Sequence, residues 1–293
     1  MNEHLKGFLL TSLGVLAIVP DSILIRLIDA PDLAVVFWRA AFTTLTLFIG
    51  LAIYYRGRLP ARLRSMGWRG LAYGILSSGG ISCFVLAVQY TTIASAVMIV
   101  ATTPIFAALI SRIFLGEPLT PRKLGTIAVC VGGVAIITGG GDFTGDMLGE
   151  LFALCTAIAL ASALTIARAA RHMSMVPSAA LGYLIASLIT LPFAAPGEMD
   201  ATDFGYALLL GCVFIPFGVS LLTLGPRYIS SAEVSLLLLL EATLAPILAW
   251  YVLDEVPGQS TLVGGAIILT ALLASNLWAV AKSQRNGRKT ARA

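Results

Sequence analysis

The chain has 293 residues, 58% of them apolar and only 12% charged, with a mean hydropathy of +0.93. Its charges are bunched, and the stretches between them run for about 20 residues, the length a helix needs to cross roughly 30 Å of lipid. This excludes an ordinary water-soluble domain. The net charge of +4 comes from short basic loops and a tail and does not point to nucleic acid.

Ten spans are predicted in chain order: 7–27, 33–54, 68–88, 93–114, 123–140, 147–168, 177–195, 204–225, 231–252 and 260–281. Each must be a helix, because lipid offers no partner for backbone N–H and C=O. A β-barrel would show alternating strands, and the run from Val234 to Leu240 does not alternate. The first span, with Lys6 before an apolar run, resembles a signal peptide, but no small-residue cleavage site follows. It is read as a retained helix. Spans three, five, six and eight hold Cys83, Cys130, Cys155 and Cys212 without metal-ligand spacing, so no metal or other cofactor is expected.

The charge map tests the count. With the N-terminus inside, the inner segments hold 17 of the 19 bases, including Arg56, Arg58, Arg62, Arg64 and Arg69 in one loop. The outer segments hold ten of the 15 acids, among them Asp29, Asp32, Glu198, Asp200, Asp254 and Glu255. Bases resist translocation, so both termini are expected in the cytoplasm.

The chain also repeats itself. Gln89–Ser95 matches Arg227–Glu233 at an offset of 138, and the same offset pairs Leu115-Gly116-Glu117 with Leu253-Asp254-Glu255. Gly7 and Arg26 align with Gly149 and Arg168 at 142. Residues 1–141 and 142–281 therefore form two five-span halves, followed by a basic tail at 282–293. Five is odd, so the second half enters the membrane from the opposite side. Inverted repeats are the structural basis of alternating access, with the binding site near the midplane.

Thr103-Pro104-Ile105-Phe106-Ala107-Ala108-Leu109 and Phe114-Leu115-Gly116-Glu117-Pro118-Leu119-Thr120, with Gly125, Gly132 and Gly133 downstream, resemble the signature of the EamA family in the drug/metabolite transporter superfamily. A weaker copy runs through Leu240-Glu241, Leu248-Ala249-Trp250 and Leu253-Asp254-Glu255. The family usually has proline after the first glutamate of that copy. Here Ala242 stands there and Pro246 follows four residues on. Within the family the chain is similar to the YddG-type bacterial amino-acid exporters. The resemblance implies an all-α, ten-helix carrier of the bacterial inner membrane, a monomer or weak homodimer moving a small molecule.

Four ionisable residues lie well inside spans: Asp21, Arg39, Glu233 and Glu241. Each intramembrane charge needs a partner or water. Asp21 and Arg39 sit at matching depths, so an ion pair or a shared wet vestibule is expected. Arg39 is also a candidate for a substrate carboxylate. Glu241, mid-span, is a candidate for proton coupling or a substrate amine, with neutral packing as the alternative. Glu233 begins a helix near the inner surface, where the dipole favours an acid. Glu117 and Glu255 follow span ends and suit loop or capping roles.

Helices three, four, eight and nine are expected to surround the passage. The candidate lining groups are Ser78, Met98, Thr102, Thr103, Phe217, Ser220 and Glu241, with Trp38 and Arg39 toward the outside. Gly79, Gly80, Pro104, Pro216 and Pro246 are candidate hinges, since proline removes a helical hydrogen bond. Export of amino acids, aromatic and other neutral ones included, is the favoured function. The alternatives are a cationic drug, which would use Glu241 and aromatic surface, or a nucleotide sugar or sugar phosphate, which would need several central bases. An enzyme is disfavoured. The two histidines, His4 and His172, stand at span ends, and no metal-protease, nucleophile-elbow or P-loop motif is present.

Overall fold

The computed structural model describes residues 3–116, 121–139, 146–170, 174–224, 228 and 231–290. Glu117, Arg227 and the side chains of Arg168 and Glu233 lie outside the described residues. The described chain is helical. Its elements are α1 (Glu3–Ile18), α2 (Pro20–Leu27), α3 (Asp32–Tyr55), α4 (Leu59–Ser65), α5 (Gly67–Tyr90), α6 (Ile93–Val100) and α7 (Thr103–Leu115). They continue with α8 (Pro121–Gly139), α9 (Asp146–Ala169), α10 (Val176–Thr190), α11 (Ala201–Leu209), α12 (Ile215–Leu224), α13 (Ser231–Leu253) and α14 (Gln259–Thr290).

Seven segments among the described residues are long and apolar enough to cross a membrane: Leu5–Leu27, Asp32–Tyr55, Gly67–Tyr90, Ile93–Leu115, Met147–Ala167, Val176–Phe193 and Ala201–Leu222. Three shorter apolar helical stretches, Leu124–Gly139, Leu237–Leu253 and Gln259–Ser275, accompany them. Many large apolar side chains point outward, Ile53, Phe114 and Tyr251 among them. In water such a surface would drive association; against lipid tails it costs nothing.

Prolines explain where helices break. Pro20 opens α2 after a one-residue interruption at Val19. Pro104 opens α7 and has no N–H for the Val100 carbonyl one turn back. The Thr103 hydroxyl donates to that carbonyl instead, at 2.6 Å. Before Pro216 the helix widens to a π-helical turn over Leu210–Phe214 and resumes as α12. Such a turn absorbs a missing donor at the cost of one extra residue. Pro192 falls in a tightened 3₁₀ turn, Leu191–Phe193. Pro246, by contrast, sits within an unbroken α13.

Two features recur at the repeat offsets. Gly116 ends α7 and Asp254 follows the end of α13, and both are left-handed, with φ of 67° and 53°. These positions are 138 residues apart. Close packing recurs too: α1 packs on α12 as α9 packs on α5. Gly14 and Gly218 let the first pair touch through backbone, a Cβ on Gly218 falling 3.0 Å from the Gly14 carbonyl oxygen. The second pair meets where the Thr156 hydroxyl donates to the Gly80 carbonyl at 3.4 Å. Thr156 lies 142 residues beyond Gly14, and Gly218 lies 138 beyond Gly80. Other packed pairs include α8 with α14, α10 with both α3 and α5, α7 with α9, and α6 with α13. Small residues at such crossings supply the van der Waals contact that holds helices together in lipid.

The basic tail is not separate. α14 continues from the membrane-compatible stretch through Lys282, Arg285, Arg288 and Lys289 to Thr290. Lysine, arginine and glutamine are good helix formers, so nothing stops the helix at residue 281.

Candidate functional site

Asp21, in the first turn of α2, and Arg39, two turns into α3, form a buried bidentate ion pair. Arg39 Nε donates to Asp21 Oδ1 at 3.0 Å and Nη2 to Oδ2 at 2.6 Å. Both side chains are about 5% exposed or less. The pair depends on a close approach behind it. Gly211, in the π-helical turn, lies against the α3 backbone, where an added Cβ would collide with Phe42 and come within 2.9 Å of the Arg39 carbonyl oxygen.

The pair is the centre of a larger polar cluster. Tyr183 from α10, 7% exposed, lies within electrostatic reach of Asp21, Arg39 and Tyr73. Tyr73 and Ser77 on α5 share a hydrogen bond. Half-buried Glu241 on α13 lies within electrostatic reach of Asp21. Among the described residues, Arg39 Nη1 and Ser22 Oγ are buried without a hydrogen-bond partner. An uncommitted guanidinium N–H in such a place is costly unless something occupies it, and it offers an anion a ready donor.

The other sequence candidates are placed as follows. Trp38 gives its indole N–H to the Ala194 carbonyl at 2.9 Å and stacks among Phe37, Phe42 and Phe204. It braces α3 against the α10 end, and its one donor is taken. Ser78 is buried and donates back to the Ile75 carbonyl of its own helix. Thr102 and Thr103, also buried, donate back across the α6–α7 junction to the Ile99 and Val100 carbonyls at the end of α6. Met98 packs over Gly265 of α14. Ser220 is partly buried on α12. Phe217 is 54% exposed and joins none of the contacts of the ion-pair cluster.

Of the hinge candidates, Pro104 and Pro216 coincide with breaks, whereas Gly79 and Gly80 lie in the uninterrupted α5. α5 has no proline to break it. Two crevices lie elsewhere. One, of about 350 Å³, runs between α8 and α14 past Gly125, Thr126, Val129, Thr270 and Ser275. The other, of about 480 Å³, is walled by Asp32, Tyr90, Phe152, Phe193 and Glu198. None of the candidate lining residues borders either one.

The sequence reading left out Tyr183, Tyr73 and Ser22. Buried tyrosines are indistinguishable from core aromatics in a sequence; Ser22, next to Asp21, was the one with a positional hint. Glu255, given a capping role from sequence, accepts from the Ile93 N–H at the start of α6, at 2.6 Å. Among the described residues no group of histidines, cysteines and acids could hold a metal ion.

A buried charge cluster inside a bundle of apolar helices with lipid-facing flanks is the mark of a polytopic membrane protein. The chain belongs to the EamA-like transporter family, whose model matches residues 5–139 and again 147–277. Members of that family are transporters. One relative is the uncharacterized transporter YdfC of Bacillus subtilis, 27% identical over 277 residues, covering 90% of this chain and 78% of YdfC. Another is the pseudopaline exporter CntI of Pseudomonas aeruginosa, 24% identical over 257 residues, covering 83% and 86%. A solved crystal structure, 16% identical, shares the fold with a TM-score of 0.65 over 94% of this chain and 98% of its own.

Proposed function

We propose that this protein is a secondary exporter of small zwitterionic metabolites, amino acids foremost, in a bacterial inner membrane. Ten spans form two inverted halves, 1–141 and 142–281, and both termini are cytoplasmic. The twin family matches, the left-handed helix ends 138 residues apart and the paired α1–α12 and α9–α5 crossings support that architecture. The basic loops support the orientation.

One observation carries the cargo class. Arg39 is buried and paired with Asp21, yet keeps Nη1 uncommitted, and Glu241 is the nearby carboxyl. A carboxylate on Arg39 and an ammonium toward Glu241 would give both ends of an amino acid a partner inside the membrane. The name of the Pseudomonas relative, a pseudopaline exporter, supports the direction. A cationic drug is the second reading, and it rests on Glu241 and aromatic surface.

Proteoliposome flux of a panel of neutral and aromatic amino acids, with and without a pH gradient, tests this. Saturable flux is expected, reduced at least about tenfold by Arg39→Gln and less by Glu241→Gln, since a hydrogen bond to a charged group contributes roughly 1.5–3 kcal/mol. Absence of flux for every amino acid, with transport of an organic cation lost in Glu241→Gln, would establish the second reading instead.

A further inference from the structure

Four polar contacts gather at the end of the bundle where α2, α5, α6 and the α13–α14 turn meet. Arg26, in the last turn of α2, donates from Nη1 to the Gln89 carbonyl at 3.1 Å and from Nη2 to the Thr91 carbonyl at 2.5 Å. Nη2 also reaches Glu255 Oε2 at 3.4 Å, and Glu255 Oε1 accepts the Ile93 N–H at 2.6 Å. Directly inward, the Ser95 and Thr261 hydroxyls share a buried hydrogen bond at 2.9 Å.

The contacts divide cleanly by half. Arg26, Gln89, Thr91, Ile93 and Ser95 belong to the first half; Glu255 and Thr261 belong to the second. Arg26 is fixed to its own half by two short bonds, whereas its contact across the boundary is the longest of its three. If the halves part at this end, Arg26 stays with the α5–α6 corner and Glu255 leaves. Both ionic side chains are partly exposed, 27% and 18%, so water can solvate them once separated. Partly wet ion pairs are weak, which suits a closure that must open in every cycle.

We infer that Arg26 and Glu255 are a reversible latch closing the outer mouth of the passage: Arg26 is the fixed post and Glu255 the moving hook. The inference rests on the proposed inverted halves and orientation, not on the cargo. In the sequence, the repeat offsets put the same two residue types, Arg168 and Glu117, at the corresponding positions of the other half.

The test uses Ser95→Cys as a reporter, in full-length protein whose four native cysteines are replaced by alanine. Ser95 is 4% exposed just inside the latch, so a membrane-impermeant maleimide reaches it only when that mouth opens. Glu255→Gln is expected to raise its labelling rate in right-side-out spheroplasts about three- to tenfold, as loss of a partly exposed pair shifts a two-state population. Glu255→Asp keeps the charge and is expected to restore slow labelling. Unchanged melting in detergent shows that the variants are folded.

A reducible bis-thiosulfonate cross-linker joining Arg26→Cys to Glu255→Cys is expected to halt export, and a thiol reductant to restore it. Unchanged labelling from both faces in a folded Glu255→Gln protein would overturn the latch, as would full export by the cross-linked protein. A rise seen in inverted vesicles alone would support the latch and overturn the orientation.

Discussion

Asp21→Ala isolates the buried pair. It removes the only hydrogen-bonded carboxylate that Arg39 has among the described residues and strands a guanidinium that already has one uncommitted nitrogen. Charges about 4 Å apart attract by about 4 kcal/mol at an effective dielectric of ~20. The original desolvation cost of Arg39 is not recovered when its partner goes. Truncating one member of a buried pair therefore costs about 3–5 kcal/mol, a drop of roughly a hundred- to several-thousandfold in the folding equilibrium. Arg39→Ala should cost a similar amount. The double replacement Asp21→Leu with Arg39→Met should lie within about 1–2 kcal/mol of the parent, because two apolar groups leave no orphan charge. Denaturant titration of the purified protein in mild detergent, followed by tryptophan fluorescence, measures these variants, and the Asp21→Ala, Arg39→Ala double closes the cycle with the two alanine singles. A coupling energy of at least about 2 kcal/mol is expected. If Asp21→Ala costs under about 1 kcal/mol and adds simply to Arg39→Ala, the contact between α2 and α3 is not a buried pair and the reasoning fails.

Two further predictions concern backbone devices, one at the α6–α7 junction and one behind that pair. Thr103→Val leaves the Val100 carbonyl without the hydroxyl that replaces the missing Pro104 donor, and should cost about 1 kcal/mol by the same titration. An unchanged stability would mean that another group takes up that carbonyl. Gly211→Val drives a side chain into Phe42 and the Arg39 carbonyl, so the π-helical turn must move off α3 at a cost of about 1–3 kcal/mol. Melting indistinguishable from the parent would show that α3 has room to give.

How much of this the sequence disclosed depends on which physical force set each feature. Helix lengths were legible because lipid thickness imposes them: the span expected at 33–54 is α3, Asp32–Tyr55, and that at 68–88 lies within α5, Gly67–Tyr90. Asp21 and Arg39 were legible as partners because intramembrane charge is rare and their depths agree. Breaks at Pro20, Pro104 and Pro216 were legible from the missing N–H, but not their form, since a one-residue gap, a hydroxyl patch and a π-helical turn all answer the same deficit. The expected weak point at Ser78–Gly80 is a continuous helix, for glycine permits a bend without imposing one. Trp38 falls within the span expected at 33–54, but only the fold reveals that its N–H is already spent on Ala194. Arg26 drew no notice as a site because two of its three acceptors are carbonyls, which every residue possesses, and the third, Glu255, is 229 residues away.

That last point reaches beyond this chain. Around the α5–α6 corner, Arg26 and Glu255 hold the main chain of Gln89, Thr91 and Ile93 and touch none of their side chains by hydrogen bond. A saturation scan should therefore find Gln89 permissive to most replacements and Thr91 and Ile93 limited by their own burial alone, with proline at 93 also breaking the bond to Glu255, while Arg26 and Glu255 resist nearly all. A fastening that grips peptide groups lets the surface around it drift toward new cargo without loosening.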